Sequence, residues 1–450
     1  MTTQASSFCP ALFLTAPASG QGKTTITAAL ARLLTRQGKV VRVFKTGPDY
    51  LDPQILEQAS GQPVVQIDMW MAGEKWCQNQ FYQAACEADL ILVEGAMGMF
   101  DGEPSSADLA ARFNIPIALV MDVKGMAQTA AAIAIGLANF RDDVTVAGLI
   151  ANNCGSERHR QLIEDALPGS LPLLANLERS EAVALPERHL GLVQAHEVRE
   201  ELEQRFESGA DWLAQSGILS RIKSLSEVEF SPCELEPVEP LLAGKIIAIA
   251  EDAAFSFIYA SNLKLLRDMG ATLSFFSPLH DADLPSCDAI WLPGGYPELH
   301  AQDLAKNTSL ISQIRQAHKK NTPILAECGG FLYCLQTLTD LDGVTHAMAG
   351  LLEGEGMMRG KRGCQGMQTA PLPEGDVRAH AHHRSRSVGT PEPIAHGKRQ
   401  RHVAPGESIY RVGSLTASYL HLFFPSNPEA ISALFSASSE SLLDEMKYVS

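Results

Sequence analysis

Short, near-continuous apolar runs separated by longer helical patterns fill the first half of the chain, and after a gap the same alternation starts again. Runs at 11–16, 40–45, 90–94, 117–122 and 146–151 read as strands covered on both faces, the sign of a parallel sheet built from strand–helix–strand units. The gap, SLSEVEFSPCELEPVEPLL at 224–242, is acidic and proline-bearing and reads as a linker. Alternation resumes at 245–250, 272–277, 289–293 and 323–326, predicting a second sheet of the same kind. A length of 450 residues suits such a pair. The expected fold class is therefore α/β twice over: an N-terminal domain at 1–223, the linker at 224–242, and a C-terminal domain at 243–450.

Charge and composition remove several function classes. The net charge of −16 argues against a general nucleic-acid binder, which needs a basic face to displace counterions. No apolar run approaches the roughly eighteen residues of a membrane span, and no basic residue precedes an apolar core at the N-terminus, as a secretory signal would require. Nine scattered cysteines without metal-ligand spacing suit reduced thiols, so a cytoplasmic location is expected. Cys9, Cys77 and Cys86 read as buried small hydrophobes. Between Arg359 and His402 the local balance reverses, with nine Lys/Arg against three acids. That stretch reads as a solvated loop region or as a landing area for a polyanion.

The first apolar run leads directly into PASGQGKTT and then a helical pattern from about Lys23 to Arg36. A glycine-rich turn between strand and helix aims backbone N–H groups and the positive helix end at one point, where a polyphosphate sits. Gly20, Gln21 and Gly22 line that turn, Lys23 reaches the terminal phosphates, and Thr24, followed by Thr25, can ligate Mg²⁺. ATP is the expected ligand. Pro17 stands where the common pattern has its first glycine, so the loop is a variant. Two further runs follow strand ends: KTGPDYLDP, with Asp49, Tyr50 and Asp52, and EGAMGMFDG, with Glu94 and Asp101. Open parallel sheets bind ligands there, and acids beside a phosphate loop can hold Mg²⁺. Singly, each acid also reads as an ordinary turn former.

In the second half, 323–326 runs into Glu327-Cys328-Gly329-Gly330 and an apolar stretch (FLYCLQTL) that can be a helix. A cysteine in a sharp strand-to-helix turn resembles a nucleophile elbow, and the helix start is expected to lower the thiol pKa. LPGGYPE offers Gly294 and Gly295, with Gly329, as an oxyanion hole. His421, in the strand-like SYLHL, is the expected base, while His380, His382 and His383 compete from what reads as loop.

In order, APASGQGKTT, KTGPDYLDP, EGAMGMFDG, DVKGMAQTAAA, LPGGYPE, AECGG and SYLHL resemble the cobyrinate or hydrogenobyrinate a,c-diamide synthase family over nearly the whole chain. The resemblance implies a dethiobiotin-synthetase-like P-loop domain joined to a class I glutamine amidotransferase domain. It implies ATP- and Mg²⁺-dependent amidation of the a and c side chains of an anionic corrin macrocycle, with ammonia from glutamine. It makes Cys328 the nucleophile, His421 its base and Asn152 an adenine reader. Thr24, Asp52 and Glu94 become metal-handling groups; Asp49, Tyr50, Asp52 and Asp101 become substrate-handling ones. A homodimer is compatible with these motifs. The chain departs from the family at Phe423, where a second His is usual, and in RAHAHHRS at 378–385. No Glu stands two residues after His421 to orient it. Related amidotransferases acting on cobyrate or a nickel tetrapyrrole share these domains. A partition-type switch ATPase would carry a lysine where this chain has Ala18.

Overall fold

The structure is a computed structural model that describes residues 5–188, 191–192, 198–359 and 363–436. Contacts divide the chain into two compact units, Met1–Leu235 and Glu236–Ser450. The division falls inside the stretch read as a linker, but 224–242 is not all linker. Within it, Glu227–Phe230 is a strand that pairs antiparallel with the start of the first strand. Its alternation of exposed Glu with buried Val228 and Phe230 is the period-two pattern of an edge strand, short enough to pass for acidic linker.

The first unit is an eight-stranded sheet. Its strands are β1 (Ser7–Thr15), β2 (Val41–Thr46), β3 (Val65–Ile67), β4 (Leu90–Glu94), β5 (Ile117–Asp122), β6 (Val146–Asn152), β7 (Leu173–Leu177) and β8 (Glu227–Phe230). The order is β3-β2-β4-β1-β5-β6-β7, all parallel, with β8 antiparallel on β1. The central strands are buried on both faces, which is why they read as unbroken apolar runs. One face packs Phe13, Phe44, Phe81 and Phe113; the other packs Leu12, Leu14, Ile26 and Leu30 under helices. Helix α1 (Lys23–Thr35) lies between sheet and helix α2 (Arg199–Gln215), and Arg32 of α1 bridges Glu203 and Glu207 of α2 at 2.6 and 3.0 Å.

The second unit carries a ten-stranded mixed sheet. Its strands are β9 (Ile246–Ala250), β10 (Thr272–Phe276), β11 (Ala289–Leu292), β12 (Ile324–Glu327), β13 (Cys364–Leu372), β14 (Gly375–His383), β15 (Ala395–Arg399), β16 (Pro405–Val412), β17 (Leu415–Ser418) and β18 (Leu420–Leu422). The order β10-β9-β11-β12-β17 is parallel, and the continuation β16-β15-β13-β14-β18 is antiparallel. A separate four-stranded sheet uses Thr345–Ala347, Thr337–Thr339, Glu355–Met358 and Ser385–Val388.

Much of the stretch from Arg359 to His402, read as loop, is strand. His380, His382 and His383 all lie on β14, and His380 pairs directly with His421 of β18. Lys361 and Arg362 lie outside the described residues. Of the other cations, Lys398 pairs with Asp376 at 3.4 Å, Arg378 donates to Thr369, and Arg399 donates to the Pro405 carbonyl. The first contact joins neighbouring hairpins, and the other two lie within one hairpin each. All nine cysteines are free; Cys9 and Cys77 are buried as expected, but Cys86, at the exposed end of helix Glu74–Ala85, is not. No described helix is long and apolar enough to cross a membrane.

Candidate active sites

In the first unit, β1 ends at Thr15 and α1 starts at Lys23, so 16–22 is the turn between them. Gly22 holds φ 91°, and a Cβ there would lie 2.4 Å from Asn152 Nδ2. Glycine is required here by both backbone and neighbour. Asn152, at the end of β6, uses its amide within the protein: Nδ2 donates to the Gln21 carbonyl at 3.0 Å, and Oδ1 accepts from Asn153 N. Gln21 in turn accepts from the Asp122 amide at 2.8 Å. The phosphate loop is thus tied to the ends of β5 and β6.

Lys23 Nζ donates to the Met97 carbonyl at 2.9 Å, joining the loop after β4 to the phosphate loop. Thr24 Oγ1 donates to Glu94 Oε1 at 2.9 Å, whereas Glu94 Oε2 is buried without a hydrogen-bond partner. Asp49 accepts from the Leu51 and Asp52 amides, capping helix Leu51–Ser60; Tyr50 is buried beside it. Asp101 is exposed and accepts from its own loop at Gly98 N.

A residue not assigned a role from sequence holds this group together. Lys45, at the end of β2 and 2% exposed, lies 3.3 Å from Asp52, 3.5 Å from Glu94 and 3.9 Å from Asp49. Burial opposes its charge, but Glu94 and then Asp52 outweigh that and raise its pKa. Burial, followed by the neighbouring Lys45, lowers that of Lys23. The signal was in the sequence: a lysine at a strand end, four and seven residues before two acids, inside KTGPDYLDP.

The second site lies at the ends of β11, β12 and β18. Cys328 follows β12 with φ 46° and ψ −98°, a conformation ordinary L-residues avoid, and precedes α3 (Gly329–Cys334). Its amide donates to the Ser418 carbonyl at 2.8 Å, so strand β17 holds the elbow. Gly294 and Gly295 form the turn after β11. A Cβ on Gly329 would lie 2.9 Å from the Gly295 nitrogen, and one on Gly294 would lie 2.2 Å from His421 Cε1. The elbow and the imidazole therefore pack on neighbouring residues of one glycine turn. Those glycines are close-approach glycines, as an oxyanion hole needs.

The charges here differ from the sequence-based expectation. Burial, then the nearby Glu298 carboxylate, pushes the Cys328 thiol far above its ordinary range, and the backbone at Gly329 only partly offsets this. A single short helical turn is a weak dipole, and desolvation wins. Burial, with His382 and His383 nearby, pushes His421 down to about 3. The resting pair is a neutral thiol and a neutral imidazole. His383 itself lies 3.4 Å from Glu407 and stacks flat on Tyr419 at 3.8 Å.

Comparison with known proteins fits these two sites. Residues 12–193 match the CobQ/CobB/MinD/ParA nucleotide binding domain, and residues 246–429 match the CobB/CobQ-like glutamine amidotransferase domain. The chain is 50% identical over 426 residues to the hydrogenobyrinate a,c-diamide synthase of Stutzerimonas stutzeri (strain A1501), covering 95% of this chain and 98% of that protein. It is 48% identical to the enzyme of that name from Pseudomonas aeruginosa, covering 95% and 97%. It is 45% identical to the cobyrinate a,c-diamide synthase of Herminiimonas arsenicoxydans, covering 93% and 95%. With a nucleotide-binding unit and a glutamine amidotransferase unit in one polypeptide, and relatives matched nearly end to end, this chain belongs to the cobyrinate and hydrogenobyrinate a,c-diamide synthase family of glutamine-hydrolysing carbon–nitrogen ligases.

Proposed function

We propose that the chain amidates the a and c carboxylates of a corrin macrocycle, using ATP to activate each carboxylate and glutamine to supply ammonia. The observation that carries this is the presence in one chain of two differently built centres: fixed charges around Lys23, Lys45 and Glu94, and a strained cysteine sharing a glycine turn with a buried imidazole. A nucleotide switch has no use for the second centre.

At the first centre a substrate carboxylate oxygen attacks the γ-phosphorus of ATP, giving an acyl phosphate and ADP. The backbone of Gly20 to Thr25 cradles the phosphates, and Lys23 releases the Met97 carbonyl to meet them. Mg²⁺ fits this site: the Thr24 hydroxyl and the orphaned Glu94 Oε2 would hold it, with phosphate oxygens and water completing the shell. Bound there, it would neutralise phosphate charge. Asp52, 3.3 Å from Lys45, would be a further ligand. Among the described residues, no three His, Cys, Asp or Glu side chains form a metal cage, consistent with a cation held largely by its nucleotide.

At the second centre the Cys328 thiol passes its proton to His421 as sulfur attacks the glutamine amide carbon. Amides of the Gly294, Gly295 and Gly329 turns stabilise the oxyanion. His421 returns the proton to the leaving nitrogen, and ammonia departs. His421 then takes a proton from water as the water oxygen attacks the thioester carbon, and returns it to the departing Cys328 sulfur, leaving glutamate and the free thiol. Ammonia displaces phosphate from the acyl phosphate to form the amide. The test is mass spectrometry of the macrocycle after incubation with ATP, Mg²⁺ and glutamine. Metal-free and cobalt-bearing corrinic acids, cobyrate and a nickel tetrapyrrole serve as parallel acceptors. Two successive amidations of a corrinic acid are expected; an unchanged mass with both corrinic acids would sink the assignment.

A further inference from the structure

Glu327 ends β12 and immediately precedes Cys328, yet the chemistry above does not use it. It is 2% exposed. Both carboxylate oxygens face N–H donors: Oε1 accepts from the Leu422 amide at 2.7 Å, and Oε2 accepts from the Trp291 indole at 2.8 Å. Leu422 follows His421 on β18. A side chain next to the nucleophile is therefore bonded to the backbone next to the base.

The topology explains why such a bond is useful. Strand β17 pairs with β12 up to Glu327↔Ser418. The chain then leaves that ladder, and β18 pairs instead with β14, in register His380↔His421. No backbone ladder joins β18 to β12, so main-chain pairing alone does not set the separation of His421 from Cys328. The Glu327 carboxylate spans that gap. Trp291, wholly buried on β11 and packed on Phe424, holds its other oxygen.

We propose that Glu327 is a positioning residue that fixes the His421 imidazole against Cys328, and that it must be a carboxylate because both of its partners are donors. The chemistry of the group supports this. Burial pushes its carboxyl up to about 8, while the Leu422 amide and then the Trp291 indole pull it down, so those two N–H bonds are what favour the charged form, and an apolar side chain would leave both donors buried and unpaired. What the carboxylate supplies is geometry. It acts through the backbone and touches no substrate.

The test is Glu327→Gln together with Trp291→Phe, and it rests on the glutaminase reading of Cys328. Glutamine offers one acceptor oxygen and must press its NH₂ against the second donor. E327Q should lower kcat for glutamine hydrolysis about 10²-fold, the cost of a misplacement of order 1 Å, with KM held within about threefold. Amidation with ammonium salt should be unchanged. W291F removes one donor, so in W291F/E327Q the amide nitrogen no longer opposes an N–H and the oxygen keeps Leu422. The double variant should recover glutamine kcat at least about tenfold over E327Q. If E327Q melts below the assay temperature, W291F/E327Q is compared with W291F and should lie within about tenfold of it. Wild-type kcat in E327Q, a loss carried by KM, or a double variant no better than E327Q overturns the proposal. A C328A variant that still uses glutamine would remove the glutaminase reading itself, whereas an active E327Q beside an inactive C328A removes only the role of Glu327.

Discussion

At the end of β4 the first unit sets Lys45 3.3 Å from Asp52 and 3.5 Å from Glu94, with Lys23 near enough to feel the charge of all three. At the end of β12 the second unit sets a thiol pushed up by burial near an imidazole pushed down by burial, both neutral. The position in the sheet is the same; the electrostatics are opposite. Phosphoryl transfer develops little new charge on the protein and needs fixed charges to position and neutralise the phosphates. Thiol attack on an amide creates charge on sulfur and imidazole only while substrate is present. A pair left neutral at rest avoids the cost of burying ions.

The largest effects should separate the two centres. Lys23→Ala is expected to cut amidation by about 10³-fold or more from either nitrogen source, since the phosphates lose their lysine. Cys328→Ala should cut glutamine-dependent amidation by about 10⁴-fold yet leave ammonium-dependent amidation within about twofold. Both are read by product formation with glutamine or ammonium chloride. A Cys328→Ala enzyme unable to use ammonium would show that the centres do not work separately.

Lys45→Met tests whether the first site is charge-built. It leaves the buried Glu94 and the half-buried Asp52 without their cation, and losing the partner of a buried charge typically costs about 3–5 kcal/mol. A urea melt of the first unit should shift accordingly, and both activities should fall. An unshifted melt would mean that Lys45 is idle.

The second site should instead reveal itself through pH. His421 keeps its neutral, proton-accepting form down to about 3, against 6.5 for a free imidazole. The acid limb of glutamine hydrolysis should therefore fall well below pH 6.5, and a limb near 6.5 would contradict a buried base. The sign for stability follows. Between 6.5 and 3 the unfolded chain binds the proton and the folded one does not, so His421 costs the fold stability as pH drops, by at most about 1.4 kcal/mol per unit. His421→Leu should lose less on acidification than the parent.

The two regions also differed in how far they could be read beforehand. Parallel strands, the glycine turns and Cys328 were legible because each is a local pattern: an apolar run, a loop, a helix start. Lys45 was half legible: its spacing to Asp49 and Asp52 is local, but its contact with Glu94 comes from the pairing of β2 with β4, which only the fold reveals. Glu227–Phe230 hid behind its acidic alternation. The histidines of β14 read as loop because their strand is interrupted by Arg and Ala rather than marked by β-branched residues. The thiol pKa was misjudged for another reason: a helix start is visible in sequence, but the depth of burial that outweighs it is not.

The finest distinction is Asn152, where a side chain expected to read adenine is found holding the phosphate loop. Its Nδ2 bond to the Gln21 carbonyl and its packing on Gly22 are positioning contacts, indifferent to which base the nucleotide carries. One neutral hydrogen bond contributes about 0.5–1.5 kcal/mol, so Asn152→Ala should raise KM for ATP about two- to tenfold. The decisive quantity is a ratio. If Asn152 only holds the loop, KM for ATP and for GTP rise by the same factor and discrimination between them is unchanged. If the amide turns to the base when nucleotide binds, the ATP-over-GTP preference falls while GTP use stays level, and the loop must then be held by Gln21 and the Asp122 amide alone. The first outcome would make the phosphate site a centre fixed in advance by its own hydrogen bonds, in keeping with its fixed charges. The second would give it a moving part, and the contrast with the substrate-triggered thiol site would narrow.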